Sequence, residues 1–181
     1  LLYTPAKRWT PHALWVGAVP GAIPPLLGSA AVTHRLDTPG LALFAILFAW
    51  QVPHVLAISV SRAGEYARAG LHCAALSWDE VLLRNFMIAS SLVLALTTVG
   101  PYVLALAGPL YLVVALPLGA GFVALAARGV RKPRALFAYS VVYLVIVFGA
   151  LLVPFAAPAK AAATSPSPAQ LGFGADALGG R

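Results

Sequence analysis

Residues 41–60 read LALFAILFAWQVPHVLAISV. An apolar run of about 20 residues is the length that an α-helix needs to cross the hydrocarbon core of a bilayer. Gln51 and His54 lie inside this run. Polar groups at membrane depth are costly, so we expect these two side chains to face a cavity or each other. The stretch therefore predicts a transmembrane helix that carries part of a functional site.

Apolar runs of similar length lie on both sides of this stretch. They cover residues 13–32, 86–99, 102–127 and 136–154. The run at 86–99 is short, but it reaches about 18 residues if residues 81–83 join it despite Arg84 and Asn85. Pro101 and Pro133 are expected at helix starts, where proline is tolerated. The pattern predicts an all-α, polytopic membrane bundle of about five transmembrane helices.

Bulk composition leads to the same class. The 181 residues are 61% hydrophobic and 9% charged, whereas soluble domains carry about 25% charged residues. The net charge is +7. Such a charge can indicate nucleic-acid binding, but here the basic residues lie in short loops between apolar runs, where they set membrane orientation. We therefore expect a lipid bilayer as partner and no nucleic acid.

The loop charges also predict the orientation. With the Lys7–Arg8 loop in the cytoplasm, five spans place nine basic residues on that side and three on the other. The cytoplasmic set is Lys7, Arg8, Arg62, Arg68, Arg84, Arg128, Arg131, Lys132 and Arg134. This bias predicts a multi-pass protein of the cell inner membrane, with the 61–80 loop cytoplasmic and the C-terminal tail on the outer face.

The chain divides into two unequal parts. Residues 1–155 form the predicted transmembrane domain, and residues 156–181 are rich in Ala, Pro and Gly, which is typical of a disordered tail. Leu1 and Leu2 resemble the last turn of a preceding apolar helix, so we expect sequence upstream. Cys73 is the single cysteine, which argues against an internal disulfide or a zinc site.

The loop at 61–80 contains three of the five acidic residues of the chain. Its charged and aromatic members are Arg62, Glu65, Tyr66, Arg68, His72, Asp79 and Glu80. Carboxylates beside arginines at a helix end can hold a divalent metal and a diphosphate. The alternative is an ordinary solvated loop, since charge clusters in loops are common.

Two other features are open to more than one interpretation. Residues 17–28 contain three prolines and three glycines, which fits either a broken helix lining a cavity or a kinked packing helix. His54 could be an axial haem ligand, or it could form a hydrogen bond across helices. Broken helices also suit small transporters, but the chain has no second segment of this kind and no internal repeat.

Four sequence blocks occur in a recognisable order. They are YTPAKRWTP at 3–11, VGAVPGAIPPLLG at 16–28, WQVPH at 50–54 and EYARAG at 65–70. Together they resemble the protohaem IX farnesyltransferases (haem O synthases) of the intramembrane, UbiA-type prenyltransferase superfamily. The resemblance covers about residues 1–155.

This resemblance implies an all-helical fold of nine transmembrane helices around a cavity that opens toward the membrane. It implies that Mg²⁺ binds farnesyl diphosphate, and that the farnesyl group is transferred to the vinyl group of protohaem IX (haem B) to give haem O. By resemblance Glu65 is a catalytic residue and the metal ligand, and Tyr66 is catalytic beside it. The implied substrate-binding residues are Lys7, Arg8, Gln51, His54, Arg62 and Arg68.

Some family features are missing from the 181 residues. The first acidic motif and roughly the first four helices are absent, and Glu65 stands where Asp is usual. The resemblance therefore predicts the C-terminal portion of such an enzyme, with its N-terminal half and haem A synthase as candidate protein partners. The alternatives are a non-catalytic or degenerate membrane protein that binds haem or isoprenoid, and a prenyltransferase with a quinone-type acceptor.

Overall fold

A computed structural model describes residues 13–70 and 73–152 of the chain. Lys7, Arg8, His72 and the predicted tail lie outside these residues. In chain order the helices are α1 (Ala13–Thr33), α2 (Thr38–Ser61), α3 (Ala63–Arg68), α4 (Ala74–Ser77), α5 (Glu80–Val103), α6 (Pro109–Ala126) and α7 (Pro133–Leu151). The prediction of an all-helical chain is confirmed for the described residues.

Four of the described helices, α2, α5, α6 and α7, are long and apolar enough to cross a bilayer. Helix α1 contributes a shorter apolar segment, Ala18–Thr33. Many of their apolar side chains remain exposed, including Val113 and Val145, because these helices present apolar faces to lipid as well as to each other.

The four long helices form a closed ring. Helix α2 packs against α5, α5 against α6, α6 against α7, and α7 returns to α2. Helix α1 lies outside the ring and packs on α2. The ring encloses a core of fully buried side chains, the largest of which are Tyr143, Phe122, Ile46, Leu56, Met87 and Leu94.

Polar side chains connect the helices of the ring at several depths. The Tyr111 hydroxyl on α6 donates to the Thr98 carbonyl on α5 at 2.7 Å. The Thr98 and Tyr143 hydroxyls lie 2.7 Å apart and join α5 to α7. Tyr139 on α7 donates to the Leu118 carbonyl on α6 at 2.9 Å. Hydrogen bonds across membrane helices average about 0.6 kcal/mol each, so packing contributes more to ring stability than any one of them.

Helix α5 corrects the sequence prediction in two ways. It begins at Glu80, after an N-cap by Asp79, and continues through Arg84 and Asn85 as one helix. The expectation that Pro101 starts a helix was wrong, because Pro101 lies inside the last turn of α5. A proline near a helix C-terminus removes one hydrogen bond, and the chain leaves the helix soon afterwards through Ala105, which has a φ of 55°. Pro133 does start α7, as predicted.

Helix α1 resolves the question of the proline-rich segment. It is continuous from Ala13 to Thr33 although Pro20, Pro24 and Pro25 lie inside it. Ala18 and Ala22 are buried. Because α1 packs on α2 through small residues, the structure favours a packing helix over a broken helix that lines a cavity.

The turn between α1 and α2 is fixed by one carboxylate. The Ser29 hydroxyl donates to Asp37 Oδ1 at 2.7 Å, and the Gly40 backbone N–H donates to the same oxygen at 2.9 Å. A Cβ on Gly40 would lie 2.8 Å from the Ser29 Cβ, so this close approach requires glycine. The hydrogen bond from Ser29, followed by that from Gly40, lowers the pKa of Asp37.

This lowered pKa makes the turn sensitive to acid. The charged form of Asp37 contributes stability above the pKa of the unfolded chain, about 3.9, and this contribution is lost as the pH falls through the lower folded pKa. We expect Asp37→Asn, which can still cap the helix, to flatten the acid limb of a thermal-midpoint profile recorded between about pH 2 and 7. Ser29→Ala should flatten it in part, and parallel profiles for all three proteins would contradict the assignment.

Candidate active site

One candidate cluster lies just beyond the end of α2. Arg62 separates α2 from the short helix α3, and Glu65 occupies the first turn of α3. Arg62 Nη1 and Glu65 Oε2 are 3.8 Å apart, and the two side chains are 64% and 63% exposed. An ion pair this exposed contributes little to stability, so Glu65 can exchange its arginine partner for another cation at small cost.

The remaining predicted residues of this segment are close by in the chain. Arg68 Nε donates to the Gly64 carbonyl at 3.3 Å and the Arg68 side chain is exposed, whereas Tyr66 is partly buried. The structure therefore keeps Arg62, Glu65, Tyr66 and Arg68 on one short helix and its cap. Among them the resolved ion pair joins Arg62 to Glu65.

The short helix α3 offers one carboxylate, Glu65, as a possible metal ligand. Within residues 13–70 and 73–152, no three His, Cys, Asp or Glu side chains are grouped so as to hold a metal. Mg²⁺, however, is commonly bound through one or two carboxylates plus substrate phosphates and water. Glu65 fits this mode, in which the substrate supplies most of the ligands.

A second cluster lies between α2 and α7. Trp50 stacks on His54 with ring centroids 4.1 Å apart, and His54 also contacts the Phe137 ring at 5.1 Å. Trp50 Nε1 donates to the Ser140 carbonyl at 2.7 Å, and His54 Nδ1 lies 2.7 Å from Ser140 Oγ. Sequence reasoning missed Ser140, because a serine some 86 residues from His54 carries no local signal.

Ser140 Oγ lies between two hydrogen-bond partners. It is 2.6 Å from the Phe137 carbonyl, to which it can donate, and 2.7 Å from His54 Nδ1. No described residue bonds to His54 Nε2. When the Ser140 hydrogen points to the Phe137 carbonyl, His54 Nδ1 is the donor to Ser140 Oγ and Nε2 keeps its lone pair. This is the form in which histidine binds a metal such as haem iron.

Gln51 turns to a different neighbour. Its side-chain amide lies against Gly21 of α1, so closely that a Cβ on Gly21 would overlap the amide nitrogen. Gln51 and His54 do not face each other, because Gln51 packs toward α1 and His54 toward α7. That these side chains face a cavity stays a prediction.

Comparison with known proteins gives the family. The model of the UbiA prenyltransferase family matches residues 1–152. The chain belongs to the UbiA prenyltransferase family. Its resemblance to intramembrane prenyltransferases, drawn from four short blocks, is thus confirmed over most of the chain.

Three relatives that are similar in sequence are all named for the same activity. A protoheme IX farnesyltransferase of Sorangium cellulosum is 45% identical over 159 residues, which cover 84% of this chain and 57% of the relative. One from an Anaeromyxobacter species is 43% identical and covers 84% of this chain and 53% of the relative. A protoheme IX farnesyltransferase 2 of Mesorhizobium japonicum is 39% identical, covering 81% and 49%. The chain thus spans about half the length of the relatives it matches. No solved structure matches it.

The two clusters of this UbiA family member lie at different depths. His54 precedes the end of α2 at Ser61 by seven residues, which corresponds to about 10 Å along the helix axis. The charged groups therefore lie at the end of α2, and aromatic groups with one imidazole lie further along α2, against α7. A substrate with an anionic end and a long apolar body matches this arrangement.

Proposed function

We propose that the chain takes part in transfer of a farnesyl group from farnesyl diphosphate to protohaem IX, giving haem O for cytochrome oxidase cofactor synthesis. The similarity to protoheme IX farnesyltransferases carries this proposal. Eight such proteins are 37–45% identical to the chain over 81–84% of its length. The names concern whole relatives, of which the chain covers about half.

The proposed reaction divides into bond breaking and bond making. The allylic C–O bond breaks, and the diphosphate leaves with the electron pair. The vinyl π electrons of protohaem IX form a C–C bond to the farnesyl cation. Water adds to the resulting porphyrin-side cation and releases a proton, which leaves a hydroxyethylfarnesyl group. The rate depends on stabilising negative charge on the leaving diphosphate and on excluding water until the C–C bond has formed.

The interfacial residues suit the diphosphate end of this reaction. Arg62 and Arg68 are exposed cations on consecutive turns at the end of α2 and on α3, and each can donate to phosphate oxygens. Glu65 would hold Mg²⁺, which when bound neutralises charge on the diphosphate. Tyr66, between Glu65 and Arg68, can donate a hydrogen bond to the same group. Lys7 and Arg8 are proposed at this end by resemblance alone.

The deeper cluster suits the porphyrin. With Nδ1 donating to Ser140, His54 would present Nε2 to the haem iron, and Trp50 and Phe137 supply flat apolar surfaces beside it. Stacking of Trp50 on His54 restrains the imidazole plane, and Ser140 holds its other nitrogen. Residues that orient a ligating histidine in this way typically raise metal affinity. Gln51 is proposed as a substrate-binding residue on the α1 side.

The membrane orientation is proposed from the charge bias. The described basic residues that gather at one end of the bundle are Arg62, Arg68, Arg84, Arg128, Arg131, Lys132 and Arg134, and Arg35 lies at the other. We place the first end in the cytoplasm, with the chain in the inner membrane, because positive loops are retained there.

The direct test is a membrane assay with haem B, farnesyl diphosphate and Mg²⁺, in which haem O is detected by mass. The chain is assayed alone and together with the portion of the Sorangium cellulosum relative that it does not cover. Haem O in either arm supports the proposal. Farnesylation of a quinone-type acceptor and not of haem, or no product in both arms with folded protein, would contradict it.

The role of His54 gives a separate prediction. His54→Ala should lower haem affinity by about a hundredfold, and Ser140→Ala by about tenfold, because second-shell partners of a metal ligand typically contribute 10–100-fold. The measurement is a haem titration followed by the Soret band. His34→Gly is the control, since His34 lies in the turn at the opposite end of α2 with a φ of 55°, which glycine adopts freely. An unchanged titration for His54→Ala would exclude His54 as the iron ligand.

A further inference from the structure

A cavity of about 490 Å³ lies at the interfacial end of the seam between α2 and α7. Val60 and Ser61 form one wall, and the start of α7 forms the other. Three basic residues, Arg131, Lys132 and Arg134, line this second wall. The proposed farnesyl transfer does not use any of these residues.

No ion pair within the described residues neutralises the charge of the cavity. In the described part of the chain the one ion pair joins Arg62 to Glu65, so no carboxylate there pairs with Arg131, Lys132 or Arg134. Helix α7 begins at Pro133 without a side-chain cap, so its positive end adds to the same field. Three unpaired cations around a concave surface at a helix N-terminus form an environment suited to an anion.

The surface below the cavity is apolar and exposed. Phe137, Val141 and Val145 are 39%, 43% and 68% exposed. They follow each other at intervals of four residues, so they share one face of α7. Arg134 lies three residues before Phe137, so it lies at the N-terminal end of the same stripe of residues on α7. A ligand held at the cavity could thus continue along this stripe with an apolar chain.

We propose that this cavity binds the phosphate headgroup of an anionic membrane lipid, whose acyl chain lies along the Phe137–Val141–Val145 face. The continuity of the cationic wall with the apolar stripe favours a lipid over a free phosphate. The lipid would cover the end of the α2–α7 seam, whose deeper part contains His54 and Ser140. This binding does not depend on the proposed enzymatic function, although its apolar stripe shares Phe137 with the proposed porphyrin surface.

The test measures lipid binding to the detergent-purified chain by native mass spectrometry. Phosphatidylglycerol, phosphatidylcholine and soluble glycerol phosphate are compared. We expect the chain to prefer phosphatidylglycerol to both other probes. Lys132→Gln/Arg134→Gln should weaken phosphatidylglycerol binding by about fivefold for each charge removed.

The matched control is Arg35→Gln/Arg84→Gln, which removes two exposed charges that do not line the cavity. It should change binding by less than about twofold, since it leaves the cavity intact. Equal losses in both double variants would show a diffuse positive surface and overturn the proposal. Glycerol phosphate binding as tightly as phosphatidylglycerol, or no preference for phosphatidylglycerol over phosphatidylcholine, would also overturn it. Unchanged thermal midpoints show that the variants remain folded.

Discussion

Glu65→Gln is expected to lower the turnover of farnesyl transfer by about a hundredfold, which is typical of removing a group that stabilises transition-state charge. The amide has nearly the same shape as the carboxylate but lacks its charge, so it binds Mg²⁺ poorly. The side chain is 63% exposed and its pairing with Arg62 is long, so the fold should be unaffected. The measurement is the Mg²⁺ dependence of haem O formation, in the assay arm that gives product.

Two further variants make this result specific. Glu65→Asp keeps the charge on a side chain one methylene shorter and should recover part of the turnover. Glu80→Gln removes an exposed carboxylate from the first turn of α5, at the same end of the bundle, and should leave turnover unchanged. A Mg²⁺ dependence in Glu65→Gln equal to that of the parent chain would remove Glu65 from the metal site.

Phe122→Ala is expected to lower the free energy of unfolding by about 3 kcal/mol. Phe122 is fully buried at the centre of the ring, where it contacts Tyr139 and Tyr143 edge to face at 5.7 and 5.1 Å. Lipid is as apolar as phenylalanine, so most of the loss comes from the cavity left between α6 and α7. Reversible unfolding in mixed detergent measures the difference.

The same helix provides the control for this substitution. Val113 lies on α6 with 69% of its surface exposed to the surroundings of the ring. Val113→Ala should change the free energy of unfolding by less than about 0.5 kcal/mol, because it opens no cavity. Equal effects of the two substitutions would contradict the placement of Phe122 inside the ring and Val113 outside it.

Much of this fold could be predicted from sequence because a membrane span has a strong and local signal. Apolar runs located the four helices of membrane-spanning length and α1, but not the short helices α3 and α4. The boundary at Pro101 was predicted incorrectly, because proline is favoured at helix starts, whereas α5 continues through Pro101 to Val103. The length of α5 was underestimated because Arg84 and Asn85 interrupt the apolar run, although an interfacial first turn accommodates both.

The candidate site was less predictable for a different reason. Glu65 and Arg62 could be paired from their spacing alone, since residues three apart on a helix are neighbours. The partner of His54 could not be found in this way, because Ser140 lies on another helix and many residues away. Whether a polar residue faces a ligand or a neighbouring helix depends on which helices meet, and hydropathy carries no information about that.

The contact between α2 and Ser140 has a consequence for the order in which the protein assembles. Trp50 and His54 leave the ribosome some 86–90 residues before the serine that bonds to them. At about 5–20 residues per second, this gap lasts several seconds. During that time the indole and imidazole donors of α2 are inside or beside the bilayer without their final acceptor. The ring can therefore close only when α7 has been inserted, and until then α2 depends on the insertion machinery, α1 or water for its polar contacts.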